Sequence, residues 1–310
     1  AAPEDISQHH LRRRKWAVFH LCKTRMLRFA LSITIGFASV LAANMSLASS
    51  PPKEGCAEFL RRLPNVTAPA CAAANLQASA AQSVKGRPLL MRDVLAPDAK
   101  LRVLVIGGIH GDELSSTSVA IQWIRLAEAA PSDTPHPVHW RFVPALNPDG
   151  LLMQPPRRGN ANGVDLNRNF PTPNWARDAK LYWEKRTGKD PRRWPGPKPL
   201  SEPESQFIVD QMQSFKPQLI VSIHAPYGVL DFDGPSTPPS KLGRLYLDQV
   251  GIFPGSLGNY GGVHKGIPVV TVELPNAMRT PLDGETRQMW LDLNRWIAEK
   301  QWTDAGSAIR

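Results

Sequence analysis

The chain has 310 residues, of which 42% are hydrophobic and 21% charged, with 22 glycines and 30 prolines. This composition excludes collagen-like, coiled-coil and wholly disordered proteins, and the length allows one large α/β domain or two small ones with proline-rich loops. The formal charge of +10 would suit nucleic acid or an anionic surface, but the first 48 residues carry half of it, so the remainder is only mildly basic.

The N-terminal segment predicts export. Its basic stretch precedes an uncharged apolar run at 29–43, which is shorter than the roughly 20 residues of a bilayer span. A small-x-small ending at 46–48 completes the pattern of a secretory signal peptide with cleavage after Ala48, whereas an uncleaved membrane anchor is the alternative. Met26 is a candidate start, which would make residues 1–25 an over-extended reading frame. We therefore leave residues 1–48 out of the fold prediction and expect a periplasmic or secreted protein without stable membrane insertion.

The cysteine count agrees with an oxidising compartment. Cys22 lies upstream of the signal core, so the exported part keeps Cys56 and Cys71. An even number suits a disulfide that closes a short loop, and two unpaired buried thiols are the alternative. Both cysteines lie in an Ala-, Pro- and Ser-rich segment at 49–84, which predicts an N-terminal extension or small cap ahead of the main domain at 85–310.

Regular secondary structure is predicted from about residue 85 onward. Four short apolar runs closed by Gly, Pro or Asn predict strands, at 101–108, 138–146, 218–225 and 267–275. Helical periodicity lies between and after them, at 113–130, 201–215 and about 284–302. Ser201 and Glu204 have capping-box spacing at the start of the second helix. Strands alternating with helices predict an α/β sheet with helices on both faces and an active site at the carboxyl ends of the strands.

A histidine and a carboxylate follow the first predicted strand. His110 and Glu113 stand three residues apart at a strand-to-helix turn, so both can face one ion. A catalytic zinc ion takes three protein ligands and one water, and it accepts imidazole nitrogen and carboxylate oxygen. His224, at the end of the strand at 218–225, is the natural third ligand. The alternative for the first pair is a helix-capping glutamate beside an unrelated histidine.

A further carboxylate is needed beside zinc as a general base that is not itself a ligand. Glu273 lies in the apolar strand at 267–275. An acidic residue there is costly without a partner or a function, so general-base catalysis is favoured over a buried structural ion pair. Of the other histidines, three are expected in the removed segment (His9, His10 and His20) and three as surface or loop residues (His136, His139 and His264).

A polar loop at 157–170 contains separated arginines among several asparagines. The planar guanidinium of arginine suits carboxylates and developing oxyanions, whereas a solvated basic loop is the alternative.

Four ordered motifs resemble those of the M14 zinc metallocarboxypeptidases: HGDE at 110–113, GVDLNRNF at 163–170, SIHA at 222–225 and TVELP at 271–275. The resemblance covers roughly residues 83–300. It implies an α/β fold, a three-layer αβα sandwich with a mixed, mostly eight-stranded sheet, that binds one zinc ion (Zn²⁺).

The resemblance also implies roles for individual residues. The zinc ligands would be His110, Glu113 and His224. Glu273 would activate the water, Arg158 would stabilise the tetrahedral oxyanion, and Asn167 with Arg168 would bind the terminal carboxylate of the substrate. Tyr260 is the nearest counterpart of the mobile tyrosine found in pancreatic-type members.

Within the family, the segments NANGVDLNRNFP, VLDFDGP and SLGNYGG are most similar to the murein peptide amidases. Those enzymes cut the bond between γ-D-Glu and meso-diaminopimelate in cell-wall peptides. Export would bring such an activity beside the peptidoglycan, whereas the best-known members are described as cytoplasmic. Asp231 and Asp233 are candidates to bind the free amino group of diaminopimelate, and a turn role is the alternative.

The segment at 177–198 carries eight basic residues against three acidic ones. It would either steer an anionic polymer or peptide to the cleft or form a solvated insertion. Nucleic-acid binding is disfavoured, because export separates the chain from nucleic acid and no recognition motif is present. The sequence therefore predicts a zinc amidase of murein peptides. The alternatives are a conventional metallocarboxypeptidase of ordinary peptides, an N-acyl amino-acid deacylase and a non-catalytic wall-binding protein.

Overall fold

The structure is a computed structural model that describes residues 52–63, 65–130, 137–300 and 302. The predicted signal peptide, Cys22 and four of the histidines (His9, His10, His20 and His136) lie outside the described residues. Within the described residues, no helix has the length and hydropathy that a transmembrane span requires.

A mixed sheet of seven strands forms the centre of the molecule, and a separate hairpin adds two more. In chain order the nine strands of the described residues are β1 (Gln77–Gln82), β2 (Pro88–Leu95), β3 (Leu101–Ile106), β4 (Val138–Val143), β5 (Leu219–His224), β6 (Leu230–Asp233), β7 (Lys241–Leu242), β8 (Leu245–Tyr246) and β9 (Val269–Glu273). The order across the sheet is β1-β2-β4-β3-β5-β9-β6, and β7 pairs with β8 in the hairpin.

The centre of the sheet is parallel. Strands β4, β3, β5 and β9 run parallel to one another, while β2 is antiparallel to β4, β6 is antiparallel to β9 and β1 is antiparallel to β2. The four predicted strands correspond to these four parallel strands. The mixed sheet that the resemblance implied is confirmed, with seven strands in the described part of the chain rather than eight.

Both faces of the sheet are covered, which explains the continuous apolar runs. Along β3, Val103 and Val105 belong to one hydrophobic core, and Leu104 and Ile106 belong to a second core. Because successive side chains of a strand point to opposite faces, the two cores lie on opposite sides of the sheet. The arrangement is therefore a three-layer sandwich.

Seven α-helices form the outer layers in the described residues. They are α1 (Pro52–Leu60), α2 (Ala68–Ala73), α3 (Leu114–Glu128), α4 (Pro148–Leu152), α5 (Trp175–Lys185), α6 (Pro203–Ser214) and α7 (Asp283–Ala298). On one face, Trp123 of α3 packs against Trp290 of α7 with ring centroids 5.5 Å apart. On the other face, α6 contributes Phe207 and Ile208 to the second core.

The predicted capping box at the start of α6 is wrong. Glu202 occupies the N-cap position, and Glu204 is fully buried rather than turned back to the helix end. The Glu204 carboxylate accepts hydrogen bonds from Asn160 Nδ2 at 3.0 Å and from the Val84 backbone N–H at 3.1 Å. Glu204 therefore links the polar loop at 157–170 to the turn between β1 and β2. Spacing along the sequence does not reveal this role.

The segment before β2 packs onto the main body. Cys56 of α1 and Cys71 of α2 form a disulfide with Cα atoms 5.8 Å apart, as expected from the cysteine count. Phe59 and Leu76 join the same core as α3 and α7. Strand β1 forms one edge of the sheet. The domain boundaries inferred from the sequence stay predictions, since the 49–84 segment contributes buried residues to the first core and Ala81 packs against the second.

The sheet topology places the predicted metal ligands and the predicted general base close together. His110 follows β3 closely, while His224 and Glu273 end the parallel strands β5 and β9 and pair with each other in register. Between β3 and His110 the chain turns at Gly108, whose φ of +58° lies in the left-handed region that favours glycine. The carboxyl ends of three neighbouring parallel strands thus meet at one edge of the sheet.

Candidate metal centre and active site

Two histidines and one glutamate converge at this edge of the sheet. The Nδ1 atom of His110 lies 2.7 Å from one carboxylate oxygen of Glu113, and the Nδ1 atom of His224 lies 3.2 Å from the other. One ligand atom from each of the three residues lies within 4.8 Å of the others, and all three side chains are buried. The donor set of two imidazole nitrogens and one carboxylate is that of a catalytic zinc site, so the group could hold a metal ion.

The outer nitrogens of both histidines have polar partners. His110 Nε2 lies 3.1 Å from Asp165 Oδ1, and His224 Nε2 lies 2.9 Å from Ser222 Oγ. A partner on the outer nitrogen sets the tautomer and the ring orientation of a metal-binding histidine. Both rings therefore present Nδ1 to Glu113 and to the space between the three side chains.

The charges within the group favour an ionised glutamate. Burial acts to raise the pKa of Glu113, but the charges and hydrogen bonds of His110 and His224 outweigh it and hold this pKa well below its usual value. An ionised carboxylate is the form that binds a cation. The site is therefore organised for a positive charge.

Asp165 is a functional residue that the sequence analysis missed. Its Oδ1 faces His110, and its Oδ2 accepts a hydrogen bond from Arg158 Nε at 3.0 Å. Burial acts to raise the pKa of Asp165, but Arg158 and His110 lower it far below the usual value. The available signal was an acidic residue between two apolar ones in GVDLNRNF, two positions before Asn167.

Glu273 lies beside the metal group, by which we mean His110, Glu113 and His224, and one of its carboxylate oxygens has no partner among the described residues. The residue is 7% exposed, and its Oε2 has no hydrogen-bond partner among the described residues. Burial raises the pKa of Glu273, although the neighbouring His224 opposes the shift. A carboxylate with a raised pKa and an unpartnered oxygen in a cleft can accept and return a proton.

The predicted arginine and asparagine residues line the same cleft, which has a volume of about 240 Å³. Arg158 Nη1 lies 3.3 Å from Glu113 Oε1, at the edge of the metal group. Arg168 is 4% exposed, its Nε has no partner among the described residues, and its guanidinium lies 4.5 Å from the centroid of the Phe253 ring. Asn167 Oδ1 accepts a hydrogen bond from the Leu257 backbone at 2.8 Å. All seven predicted site residues are therefore brought together.

Two acidic side chains line the cleft as well. Asp231 and Asp233 both belong to β6, at the edge of the sheet next to β9. Burial and the nearby Asp231 raise the pKa of Asp233 to about 6. Thr271 of β9 pairs with Asp231 in register and lines the cleft beside it. The cleft thus offers both positive and negative charge.

The structure does not support Tyr260 as a cleft residue. Tyr260 is 7% exposed and stacks against Phe170 with ring centroids 6.2 Å apart, and it is not among the described residues that line the cleft. Tyr227, which is 57% exposed, lines the cleft.

The basic segment at 177–198 contributes to the cleft. It forms α5 and a 3₁₀ turn at Pro191–Arg193, and Arg192 and Arg193 of this turn line the cleft. Arg192 Nη1 lies 2.8 Å from a carboxylate oxygen of Asp112, the neighbour of Glu113. The segment is therefore attached to the loop that bears the metal group.

Comparisons with known proteins identify the family of the chain. A family model described as zinc carboxypeptidase matches residues 75–234. The chain is 33% identical over 201 residues to murein peptide amidase A of Vibrio campbellii, over 63% of this chain and 77% of that protein. It is 32% identical over 201 residues to murein peptide amidase A of Escherichia coli, over 63% of this chain and 79% of that protein.

Comparison of the fold with solved structures indicates the same family. The crystal structure of the murein-tripeptide amidase of Escherichia coli matches with a TM-score of 0.54 at 26% sequence identity, over 74% of this chain and 93% of that chain. The resemblance carried by the four sequence motifs is confirmed. The chain therefore belongs to the zinc carboxypeptidase family and is a metallopeptidase.

Proposed function

We propose that this metallopeptidase is an exported zinc amidase that hydrolyses the bond between γ-D-Glu and meso-diaminopimelate in murein peptides. The observation that carries the proposal is a single cleft in which a group able to bind a metal lies among arginines and a pair of aspartates. The curated relatives named murein peptide amidase A, at 32% and 33% identity, support the same substrate class.

His110, Glu113 and His224 would hold the zinc ion. Bound there, zinc would supply Lewis acidity, which polarises the scissile carbonyl and lowers the pKa of the attacking water. The outer partners of the two histidines, Asp165 and Ser222, would keep both rings in position for the ion.

Glu273 would act as the general base and then as the general acid. Its free Oε2 would accept a proton as the water attacks and would return that proton to the departing amine of diaminopimelate. Burial raises the pKa of Glu273, which makes its carboxylate a better proton acceptor for the first step.

Arg158 would stabilise the oxygen on which negative charge develops during the reaction. Its guanidinium is held by Asp165 and lies near Glu113, so its position is set before the substrate arrives. A preorganised donor aimed at developing charge is worth more than a mobile one, because it needs no reorientation during the reaction.

The charges of the cleft match the leaving group of the proposed reaction. Asn167 and Arg168 would bind the C-terminal carboxylate of the peptide. Asp231 and Asp233 would bind the ammonium group at the far end of the diaminopimelate side chain. An apolar C-terminal side chain would instead leave the half-buried Asp233 without a partner, which is costly and selects against ordinary peptides.

Export is the second part of the proposal. The predicted signal peptide at 1–48 supports it, and the Cys56–Cys71 disulfide suits an oxidising compartment. The test is to express the full chain and sequence the N-terminus of the mature protein. A new N-terminus at Ser49 in the periplasm or medium is expected, and an unprocessed chain retained in the cytoplasm would overturn this part.

A substrate panel tests the reaction. The processed protein is incubated with three peptides that differ only at the C-terminal residue: L-Ala-γ-D-Glu-meso-diaminopimelate, the L-lysine analogue and the L-norleucine analogue. A fourth group consists of ordinary α-linked dipeptides. Preferential release of diaminopimelate, detected by mass spectrometry, is expected. Efficient cleavage of the ordinary dipeptides instead would make the protein a conventional carboxypeptidase.

A further inference from the structure

A second groove adjoins the catalytic cleft. Arg158 and Arg192 line both concavities, so the two lie side by side. The groove has a volume of about 770 Å³, more than three times that of the cleft. None of the described residues proposed to bind diaminopimelate lines the groove, whereas Arg158, the proposed oxyanion donor at the scissile bond, lines both concavities.

Two indole rings form part of the groove wall. Trp183 and Trp194 are both half-buried and both line it. Trp183 Nε1 donates a hydrogen bond to the Asp190 carbonyl at 2.8 Å, which fixes that ring. The Trp194 carbonyl accepts a hydrogen bond from the backbone N–H of Asp165 at 2.8 Å. This hydrogen bond links the groove wall to Asp165, which contacts His110.

The groove is positively charged at its rim. Arg157 is exposed and forms no ion pair with any residue in the described part of the chain. Arg192 is held at the junction with the cleft by Asp112. No aspartate or glutamate is among the described residues that line the groove. An occupant with a negative charge and a rigid apolar face would complement this surface.

We propose that this groove binds the acyl side of a murein peptide that still carries its amino sugar. The inference rests on the proposed amidase function. The γ linkage leaves the α-carboxylate of D-Glu free next to the scissile bond, where Arg157 or Arg192 would bind it. Beyond it, the sugar ring would pack against Trp183 and Trp194, because an indole offers a large, rigid apolar face with little loss of side-chain entropy.

The size of the groove favours the sugar-bearing substrate. The cleft of about 240 Å³ would take one residue, diaminopimelate, whereas the groove of about 770 Å³ would take everything on the acyl side. In the free tripeptide that part is only L-Ala and D-Glu, each smaller than diaminopimelate. A sugar at the N-terminus would occupy part of the remaining volume.

Three substrates test the inference: the free tripeptide, its N-acetyl form and its N-acetylmuramyl form. The N-acetyl form is the matched control, because it removes the amino charge as the muramyl amide does but carries no sugar. We expect kcat/KM for the muramyl form to exceed that for the N-acetyl form at least tenfold. Trp194→Leu should bring this ratio close to one, and Trp194→Tyr, which keeps an aromatic face, should restore most of it.

Arg157 has its own substrate test. Amidation of the D-Glu α-carboxylate to D-isoglutamine should reduce kcat/KM about tenfold in the wild type, and the same change should have little effect in Arg157→Gln. Leu181→Ala and Arg186→Gln are matched controls, because both residues are exposed on or next to α5 and neither is among the described residues that line the groove. Both should keep the wild-type ratios, and thermal unfolding shows whether each variant is folded.

The outcomes separate the two proposals. Equal kcat/KM for the muramyl and N-acetyl forms in the wild type, with diaminopimelate released from both, would overturn the sugar site and leave the amidase function intact. A muramyl preference that persists in a folded Trp194→Leu protein would overturn the assignment to this groove. Failure to release diaminopimelate from any of the three substrates would overturn the proposed function and with it the inference.

Discussion

Asp165 holds the outer nitrogen of His110, with Oδ1 3.1 Å from Nε2, inside a buried group. The other oxygen of Asp165 accepts a hydrogen bond from Arg158. One carboxylate therefore orients both a proposed metal ligand and the proposed oxyanion donor. A change at Asp165 should weaken metal binding and transition-state stabilisation together, without removing any group that contacts the substrate.

Asp165→Asn should lower the zinc affinity about 10–100-fold, because the outer partner that fixes the His110 tautomer loses its charge. Competition with a chromophoric chelator measures the effect. Asp178→Asn is the control, since Asp178 lies on α5 and pairs with the exposed Arg177. Equal zinc affinity in the wild type and Asp165→Asn would contradict the assigned role.

Glu273→Gln should keep one zinc ion per chain and lose turnover about 10²–10⁴-fold, because the amide has the shape of the carboxylate but cannot accept the proton. Metal analysis and kcat on the diaminopimelate tripeptide provide the two readouts. Near-normal kcat in a zinc-loaded variant would mean that another group is the base.

Arg158→Ala should lower kcat about 10²–10³-fold, which is the usual effect of removing one oxyanion donor. KM should change little, because the interaction strengthens only as charge develops on the oxygen. Since Arg158 also contacts Glu113 and Asp165, zinc content is measured in parallel. A rise in KM with unchanged kcat would assign Arg158 to ground-state binding instead.

Asp233 should make diaminopimelate recognition dependent on pH. Its pKa is raised to about 6 by burial and by Asp231, so the carboxyl loses its charge as the pH falls through about 6. The KM for the diaminopimelate peptide should therefore rise below pH 6 relative to the KM for the norleucine peptide, which has no ammonium to bind.

Asp233→Asn should remove that pH dependence of the KM ratio. At neutral pH it should raise KM for the diaminopimelate peptide about tenfold or more, the loss of one charged hydrogen bond worth about 1.5–3 kcal/mol. The KM for the norleucine peptide should not rise, because the variant removes the charge that an apolar side chain leaves without a partner. A parallel rise in KM for both peptides would point to a structural role for Asp233.

The Cys56–Cys71 disulfide should stabilise the fold without affecting catalysis. The two cysteines are separated by 15 residues and join α1 to α2. The double variant Cys56→Ala with Cys71→Ala should lose about 3 kcal/mol of unfolding free energy, measured by urea denaturation, because the unfolded chain gains conformational freedom. Its kcat should match that of the wild type, since neither cysteine is among the described residues that line the cleft. An unchanged urea midpoint would contradict a stabilising role.

Local sequence patterns predicted the central strands and the candidate site residues at their ends. The parallel strands β3, β5 and β9 were recognisable because burial on both faces makes them continuously apolar, and His110, His224 and Glu273 stand at or near their ends. The edge strands β1 and β6 were missed. QASAAQ is small and polar, and LDFD is only four residues long, so neither has a clear strand pattern.

Other features depend on distances that spacing along the chain cannot give. Asp165 contacts His110 across 55 positions, and Glu204 contacts Asn160 across 44, which overrides the local capping-box pattern. Tyr260 was proposed from its glycine-rich loop, but its ring packs into the second core. The groove beside the cleft likewise arises from two separate segments, the loop at 153–163 and the basic segment at 177–198.

The central claim is that zinc held by His110, Glu113 and His224 supports release of diaminopimelate. The most direct test follows L-Ala-γ-D-Glu-meso-diaminopimelate by mass spectrometry with the native protein, the chelator-treated protein and the protein resupplied with zinc. Free diaminopimelate and L-Ala-D-Glu should form, stop with chelator and return with zinc, and Glu273→Gln should stay inactive throughout. Equal release in the chelated protein, shown by analysis to lack zinc, would contradict the account.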